Sequence, residues 1–379
     1  MKIFYIVHTR MPTDKAYGLT IVRSCESFAV GGAEVTLVMP SLTTHERGDI
    51  FERYHVAHVF NVRHLFVLDF LRINGGRMMF ALRIVSFYAS AFFYMLFRSR
   101  KNTVIYTRDV PLIELFSRIG FSVVYECHLI SNNRAAFFRR CRHARHIITI
   151  SDALKLAFVA EGFEAANIMV APSGVDVGIF GNKVEKSQAR RELSLPPDAK
   201  IVLYTGNFTT MGADKGITDI ILALKEIPDV LFAAVGGADP DIARYRALAA
   251  QQRVDERVLL FGHSSQTTLA RYQQAADVLL MPFPDTPHYR NHMSPVKMFE
   301  YMASGRPIIA SDLPTIREVL TEQNAVIVPP GDPQAIAGAI QTLLNDPAQA
   351  EVCAAQARED VDQYTWQNRA ARILAFIAH

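Results

Sequence analysis

The sequence contains few cysteines, and no two of them are close neighbours. The 379 residues include four, at positions 25, 127, 141 and 353, with no Cys-x-x-Cys pair and no histidine at zinc-ligand spacing. This pattern excludes a structural zinc site and a disulfide-rich scaffold. We expect four buried thiols in a reducing compartment.

The sequence also lacks low-complexity tracts and internal repeats. Half of its residues are hydrophobic and a fifth are charged, which excludes disordered, collagen-like and coiled-coil chains. The length predicts two globular domains, each with a buried core. The first seven residues hold one lysine and a short apolar run without the cleavage site of a signal peptide, so we expect a cytoplasmic location.

Long hydrophobic runs are scarce, and one stretch requires a membrane test. Residues 78–97 hold a single charge, Arg83. The uncharged run that begins at Ile84 is about 21 Å long as a helix, against a hydrocarbon core of about 30 Å, so it is predicted to be too short to span. A largely buried helix packed on a sheet is favoured, and an interfacial helix is the alternative.

The charge is distributed unevenly between the two halves of the chain. Residues 1–190 carry 24 Lys and Arg against 15 Asp and Glu, whereas residues 191–379 carry 16 against 22. A basic first half favours an anionic partner, which is nucleic acid, a phosphorylated acceptor or an anionic membrane.

Short apolar runs alternate with stretches of helical spacing along the whole chain. This order predicts parallel sheets built from βαβ units, and therefore two doubly wound α/β domains. The predicted strands are residues 2–7, 34–39, 104–107, 122–126, 146–150, 201–205, 230–235, 258–261, 278–281, 307–310 and 325–328.

The domain boundary is expected within residues 172–196, where prolines and glycines accumulate and the charge changes sign. We assign residues 1–180 and about 365–379 to the first domain, and 181–364 to the second. Because open α/β sheets bind ligands beyond the carboxyl ends of their strands, a shared cleft between the domains is the expected site.

The most informative stretch surrounds Ser294. Ser294 is a good N-cap and Pro295 suits the first helical position, so a helix is predicted from Pro295 to about Ser304, ended by Gly305. The helix N-terminus would be a site for an anion such as a diphosphate. Glu300, one to two turns further on, could accept hydrogen bonds from the hydroxyls of a ribose, although a surface position is an equally good interpretation.

These residues resemble a known family. The stretch SPVKMFEYMASGRPIIASDLPTIREVL (294–320) resembles the signature of the retaining glycosyltransferases of family 4, which have the GT-B fold of two facing Rossmann-like domains. Four further stretches match the family in the same order: YECHLI (125–130), SGVDVGIF (173–180), YTGNFTTMGADKGITDII (204–221) and VLLFGHSSQTTLARYQQAADVLLMPF (258–283). The resemblance implies transfer of a sugar from a UDP- or GDP-linked donor without a metal or other cofactor.

The resemblance also implies roles for individual residues. Lys215 matches the family lysine on the donor diphosphate, and Glu300 matches the second glutamate of an E-x7-E pattern, which is associated with the donor ribose. The position of the first glutamate is occupied by His292, so sugar contacts must differ there. The backbone N–H groups of Met293 and Ser294 remain candidates for holding the donor.

A second departure lies beside Gly206, which is itself a candidate donor-binding residue. The family commonly has arginine where this sequence has Asn207, which brings no charge. Lys215 and the helix at Pro295 are therefore expected to carry more of the phosphate stabilisation, with Lys297 or Arg290 as further candidates.

In the first half, residues 11–18 resemble the family's glycine-containing loop over the donor phosphate, with Gly18 allowing close backbone approach. The GGAE stretch at 31–34 is expected to be a helix stop instead. His128 follows a predicted strand and matches the family histidine that faces the sugar and the acceptor.

Two further clusters have weaker interpretations. The basic run at 134–146 is a candidate acceptor or membrane surface, or simply a solvated helix face; nucleic acid is disfavoured because no stacking platform accompanies it. Its named candidates are Arg134, Arg139, Arg140 and Arg142. Asp239 and Asp241 resemble a metal-binding DxD motif, but no metal is expected there.

The sequence therefore predicts a retaining glycosyltransferase, of a type used in bacterial surface glycan or glycolipid synthesis. Its expected partners are the donor, a glycan, lipid-linked or phosphorylated acceptor, and the inner face of the cell membrane. The alternatives are a non-catalytic nucleotide-sugar-binding protein and a nucleotide-sugar epimerase of the same fold. A nucleic-acid binder is the weakest alternative.

Overall fold

A computed structural model describes residues 1–13, 15–42, 48–69, 76–210 and 212–378. The chain divides into two compact units. Unit 1 comprises Met1–Pro172 and Trp366–His379, and unit 2 comprises Ser173–Thr365.

Unit 1 is a seven-stranded parallel sheet with helices between the strands, in the order β3-β2-β1-β4-β5-β6-β7. Its strands are β1 Lys2–Ile6, β2 Glu34–Pro40, β3 Asn61–Leu65, β4 Thr103–Thr107, β5 Ser122–Cys127, β6 His146–Thr149 and β7 Ile168–Val170. Its helices are α1 Ala16–Val30, α2 Ile50–Tyr54, α3 Gly76–Leu96, α4 Val110–Ser117, α5 Arg134–Cys141, α6 Asp152–Ala160 and, at the end of the chain, α17 Trp366–Ile377.

Unit 2 contains a six-stranded parallel sheet in the order β12-β11-β8-β13-β14-β15 and a small antiparallel pair, β9 with β10. Its strands are β8 Lys200–Thr205, β9 Thr209–Thr210, β10 Ala213–Asp214, β11 Val230–Val235, β12 Val258–Phe261, β13 Val278–Met281, β14 Ile308–Ser311 and β15 Val326–Val328. Its helices are α7 Val177–Phe180, α8 Lys186–Glu192, α9 Ile217–Ala223, α10 Asp239–Gln251, α11 Gln266–Ala275, α12 Pro287–Asn291, α13 Val296–Ser304, α14 Pro314–Arg317, α15 Pro333–Asn345 and α16 Pro347–Asp360.

The predicted α/β architecture of two doubly wound sheets is confirmed, and each predicted strand forms within a residue or two of its expected bounds. The sequence did not reveal β3, β7 or the β9 and β10 pair. The edge strand β3 reads Asn-Val-Arg-His-Leu and buries only Leu65, so it has no apolar run. β7, β9 and β10 have three or fewer residues each.

The units divide between Pro172 and Ser173, eight residues before the boundary expected at 180. The intervening residues pack within unit 2, because Val175 and Phe180 belong to its core and are each 1% exposed. At the other end, α17 packs within unit 1, where Ala370 and Ile373 join the core around β1.

The expectation of a largely buried helix at 78–97 is wrong. By length and composition Met78–Leu96 could cross a membrane, and only 22% of that stretch is buried. One face, containing Phe87, Ala91 and Met95, does pack into unit 1. The helix extends beyond the uncharged run that begins at Ile84, since it starts at Gly76 and includes the buried Arg83.

A buried ion pair joins α8 to Asp277, the residue just before β13 in unit 2. Arg190 is 2% exposed, and its guanidinium donates to the Asp277 carboxylate at 2.8 Å and to the carbonyls of Ala275 and Pro197. Asp277 also accepts from the N–H of Ile201 at 2.7 Å. This arrangement fixes the start of β8, whose other end carries the candidate site.

Arg190→Met is therefore expected to lower the free energy of unfolding by roughly 3 kcal/mol, since it leaves the carbonyls of Ala275 and Pro197 without this donor and removes the buried cation that faces Asp277, which keeps only its bonds to Ile201 and Lys186. Urea unfolding followed by circular dichroism measures this. The matched control is Arg191→Met, one residue on in α8 and exposed, for which a change below about 0.5 kcal/mol is expected. Equal effects of the two substitutions would contradict the account.

Candidate functional site

Glycines bring the backbone close together where β8 and β11 end in unit 2. Gly206 follows β8 with a φ of 99°, and Gly236 follows β11 with a φ of 115°. A Cβ atom at Gly236 would lie 2.8 Å from the carbonyl oxygen of Gly206, and one at Gly206 would lie 3.3 Å from the ammonium of Lys297. Both positions therefore require glycine. Because Gly206 has no side chain, its backbone lies close to the ammonium of Lys297.

Lys215 is held at the same edge by the turn that starts α9. The carboxylate of Asp214 accepts from the N–H groups of Gly216 and Ile217 at 2.7 and 2.9 Å, and Lys215 donates its own N–H to Phe208 at 3.2 Å. Burial lowers the pKa of Lys215 to about 8. The ammonium of Lys215 therefore loses its proton at a lower pH than that of an exposed lysine, and a nearby anion would stabilise its charged form.

Lys297 lies one residue into α13 and is 8% exposed. Its ammonium is 3.4 Å from the centroid of the Tyr204 ring and has no hydrogen-bond partner among the residues that the structure describes. Burial, reinforced by the charge of Lys215, holds the pKa of Lys297 well below its usual range, while Glu300 acts in the opposite direction. Two lysines thus share one small region that contains less negative charge than positive.

The start of α13 differs from the prediction. Pro295 is the N-cap, with a ψ of 125° and no side-chain cap, so the helix runs Val296–Ser304 and ends at Gly305 as expected. Ser294 is not the N-cap, because its hydroxyl accepts from the N–H of Ser173 at 2.8 Å and its carbonyl accepts from the Ser173 hydroxyl. The uncapped first turn leaves backbone N–H groups beside Lys297.

Glu300 is buried, at 7% exposure, one turn beyond Lys297 on α13. The interpretation of Glu300 as a surface residue is therefore wrong. Burial raises the pKa of Glu300 to about 7, and Lys297 opposes that shift. A buried carboxylate at this position can accept hydrogen bonds from hydroxyl groups of a ligand.

The other predicted donor-binding residues lie on neighbouring loops of unit 2. His292 caps the C-terminus of α12 and is half-buried, and Met293 is 7% exposed. Asn207 is exposed, and its carbonyl accepts from the Tyr204 hydroxyl at 2.9 Å. Arg290 pairs with Asp285, so it is engaged within its own helix and loop.

In unit 1, His128 follows β5 and makes a short contact with a buried carboxylate. The His128 Nε2 atom is 2.6 Å from Glu126, while the side chain of His128 remains 35% exposed. Burial, together with Arg108, lowers the pKa of His128 to about 4 against the opposing effect of Glu126. A neutral imidazole that donates from Nε2 presents its Nδ1 lone pair to a ligand.

Glu126 is the candidate site residue that sequence reasoning missed. Burial alone would raise its pKa, but Arg108 and Arg369 hold that pKa well below its usual range. Arg108 donates to it at 2.7 Å, Arg369 from α17 lies at 3.2 Å, and the Tyr106 hydroxyl donates as well. The only available signal was a carboxylate two positions before His128 at the end of a strand.

The expectation that Gly18 lies in a loop is wrong, because α1 begins at Ala16 and includes Gly18. A Cβ atom at Gly18 would lie 2.3 Å from the Tyr54 hydroxyl, so helix packing accounts for this glycine. The GGAE stretch ends α1, as predicted: Gly31 is the C-cap and Gly32 has a φ of 89°.

The basic run forms α5, and its arginines are largely engaged within unit 1. Arg134 donates to the carboxylate of Glu161, and Arg140 lies 3.6 Å from Glu114, so two of these charges face carboxylates. Arg142, just after α5, donates to the main-chain carbonyl of Glu161, and Arg139 is exposed. The two phenylalanines of the run are buried in the core.

The Asp239 and Asp241 pair lies in the first turn of α10, where Asp241 accepts from the Thr209 hydroxyl at 3.0 Å. Within the described part of the chain, no three His, Cys, Asp or Glu side chains form a group that could hold a metal ion. The four cysteines are free and buried.

Comparison with known sequences matches the region that builds the lysine and glutamate site. Residues 199–346 match the family described as Glycosyl transferases group 1. D-inositol 3-phosphate glycosyltransferase of Jonesia denitrificans is 28% identical over 218 residues, covering 55% of this chain and 50% of that protein. Phosphatidyl-myo-inositol mannosyltransferase of Mycolicibacterium smegmatis is 30% identical over 235 residues, covering 60% and 55%. The chain spans about half the length of these curated relatives.

Solved structures extend the similarity to the whole chain. HepE of Anabaena in complex with UDP and glucose has a TM-score of 0.76 at 18% identity, covering 100% of this chain and 99% of that one. Sucrose-phosphate synthase from Thermosynechococcus elongatus has a TM-score of 0.75 at 22% identity, covering 100% and 98%. Residues 199–346 are thus similar to the glycosyl transferases of group 1, and the whole length of the chain has the GT-B fold of two Rossmann-like domains.

Proposed function

We propose that this protein is a retaining glycosyltransferase that transfers a sugar from a nucleotide-sugar donor to an acceptor. The observation that carries the proposal is the cluster of Lys215, Lys297 and Glu300 at the carboxyl edge of the unit 2 sheet, within the residues that match the family. A buried ammonium without a hydrogen-bond partner suits an anionic ligand.

The donor is a UDP- or GDP-linked sugar. Lys215 and Lys297 bind its diphosphate, together with the backbone N–H groups at the uncapped start of α13. Glu300 accepts from the ribose hydroxyls. Gly206 has no side chain and so lets the backbone lie close to Lys297. Met293 and His292 lie on the adjoining loop, and the resembled family has a glutamate at the position of His292.

The acceptor is a glycan, lipid-linked or phosphorylated compound, as in the synthesis of bacterial surface glycans or glycolipids. Two relatives are named for D-inositol 3-phosphate and phosphatidyl-myo-inositol. Unit 1 contains a cavity of about 370 Å³ whose lining includes Arg108, Arg140 and Asn133 at the start of α5. Arg108 and Arg140 also contact Glu126 and Glu114, and the carboxylate of Asp109 shares the lining, so the cavity offers both donors and acceptors to the hydroxyl groups of an acceptor. The four buried free thiols fit a cytoplasmic location.

The proposed reaction breaks the bond between the anomeric carbon and the diphosphate oxygen, which leaves with the bonding electrons. The acceptor oxygen forms its bond on the same face of the sugar, and its proton passes to the departing phosphate oxygen. Lys215 and Lys297 stabilise the charge that develops on the diphosphate. His128, neutral at physiological pH, accepts a hydrogen bond from a sugar or acceptor hydroxyl through Nδ1.

Turnover of a panel of UDP- and GDP-sugars, with and without phosphorylated acceptors, tests the proposal. Wild-type protein is expected to consume one donor and to form a product with retained configuration. Lys215→Ala is expected to lower kcat/KM by about 10²-fold or more, since it removes a charge that stabilises the leaving group. The control is Lys225→Ala, an exposed lysine just beyond α9, which should leave the rate unchanged.

Two outcomes of that assay favour the alternatives. Binding of a nucleoside diphosphate without consumption of any nucleotide sugar would indicate a non-catalytic binding protein, which the departures at His292 and Asn207 would then explain. Conversion of the donor sugar without an acceptor would indicate an epimerase.

Glu300→Gln is expected to remove discrimination between ribose and deoxyribose. Wild-type protein should bind UDP or GDP at least tenfold more tightly than the 2′-deoxy counterpart, because a hydrogen bond to a charged acceptor is worth about 1.5 to 3 kcal/mol. Isothermal titration calorimetry measures both affinities. The control is Glu226→Gln, an exposed residue of unit 2. A Glu300→Gln variant that keeps the full preference for ribose would disprove the ribose contact.

His128→Ala is expected to separate transfer from donor binding. Loss of one hydrogen bond should lower kcat/KM for transfer about tenfold, while the affinity for the nucleoside diphosphate stays unchanged, since its proposed ligands all belong to unit 2. His143→Ala, an exposed histidine just beyond α5, is the control. An equal loss of nucleotide affinity in His128→Ala would refute the assignment of His128 to the sugar and acceptor.

A further inference from the structure

Helix α3 carries an apolar stripe on its outer side. Met78, Leu82, Val85, Ala89 and Phe93 recur every three or four residues and therefore share one face of the helix. All five are exposed, with Met78 at 73%, Val85 at 62% and Phe93 at 65%. The stripe contains no charged or polar side chain over about 22 Å of helix.

The opposite face of α3 fixes the helix to unit 1. Phe87, Ala91 and Met95 are 1% exposed or less and belong to the core beside β5. The hydroxyl of Ser90 donates to the carbonyl of Phe66 at 2.8 Å. Phe66 is 70% exposed and lies just after β3, so it extends the apolar surface sideways.

The concentration of exposed apolar side chains on α3 is unusual for this chain. Of the 14 large hydrophobic residues exposed in the described part of the chain, six lie between Met78 and Phe97, whereas unit 2 exposes only Val177 and Val352. Single exposed apolar residues are ordinary on protein surfaces, but a contiguous patch indicates a surface that is covered in use.

The charges around the stripe identify what covers it. The sequence has no acidic residue between Asp69 and Asp109. Arg98, Arg100 and Lys101 follow α3 directly and are exposed. A second copy of the same surface would bring these cations together, whereas an anionic lipid surface accepts both the cations and the apolar stripe.

We propose that the exposed face of α3 lies in the interfacial region of an anionic lipid bilayer and holds the protein peripherally at a membrane. The helix lies flat, because crossing the bilayer would strip Phe87, Ala91 and Met95 from the core of unit 1. The arginines of α5 contribute less, since Arg134 pairs with the carboxylate of Glu161 and Arg140 lies 3.6 Å from that of Glu114. This surface is separate from the residues proposed for glycosyl transfer, so either proposal can fail alone.

Sedimentation with lipid vesicles tests the proposal. The intact protein is incubated with vesicles of phosphatidylcholine alone or of phosphatidylcholine mixed with phosphatidylglycerol. It is expected to sediment with the mixed vesicles at least tenfold more strongly, and added salt should weaken that binding. Val85→Glu combined with Phe93→Glu should reduce binding to the mixed vesicles at least tenfold.

The matched control is Leu156→Glu combined with Val352→Glu, two helical residues that are each 67% exposed elsewhere and whose replacement should leave vesicle binding unchanged. Circular dichroism checks that both double variants fold. The proposal is overturned if the wild-type protein stays in the supernatant, if it binds both vesicle types equally, or if the control variant loses binding as well. Self-association that Val85→Glu with Phe93→Glu abolishes, without vesicle binding, would assign the stripe to a second copy instead.

Discussion

The candidate donor site depends on one buried cation, Lys297, to which the described part of the chain offers no hydrogen bond. The ammonium of Lys297 lies over the Tyr204 ring, beside the bare backbone of Gly206, and its pKa is held well below its usual range by burial and by Lys215. A folded protein rarely keeps such a group without a reason, because desolvating an unpaired charge is costly. An anionic ligand removes that cost, since it supplies both a counter-charge and hydrogen-bond acceptors.

The Glu126 cluster of unit 1 and the Lys297 region of unit 2 differ in how their buried charges are paired, and the contrast separates positioning from binding. In unit 1, Glu126 is satisfied by Arg108, Arg369, Tyr106 and His128. That cluster ties α17 to the sheet and orients His128, so its carboxylate needs no ligand. In unit 2, the ammonium of Lys297 has no hydrogen-bond acceptor among the described residues. A buried polar group that is fully paired stabilises one arrangement, whereas one that is unpaired marks a place for a partner.

The sequence was most informative where the chemistry and the buried strands coincide. The parallel strands are apolar runs bounded by glycine or polar residues, so their order and the α/β class could be predicted, as could the helix that ends at Gly305. That Ser294 does not cap this helix could not be predicted, because its hydroxyl accepts a hydrogen bond from the N–H of Ser173, which is 121 residues away in sequence. The exposure of α3 could not either, since both of its faces are apolar and composition does not show which one is covered. The prediction that Gly18 lies in a donor-binding loop was wrong for a similar reason, because Tyr54, against which Gly18 packs, is distant in sequence.

Proton uptake on binding of a nucleoside diphosphate tests the central claim most directly. Burial lowers the pKa of Lys215 to about 8, and the pKa of Lys297 lies well below its usual range. A bound diphosphate should raise both pKa values, so the two lysines should take up protons from solution above pH 8. Calorimetric titration with UDP or GDP in buffers of different ionisation enthalpy measures that uptake. The account predicts net uptake that falls when Lys215 or Lys297 is replaced by Gln. Tight binding with no proton uptake, or uptake unchanged in both variants, would contradict it.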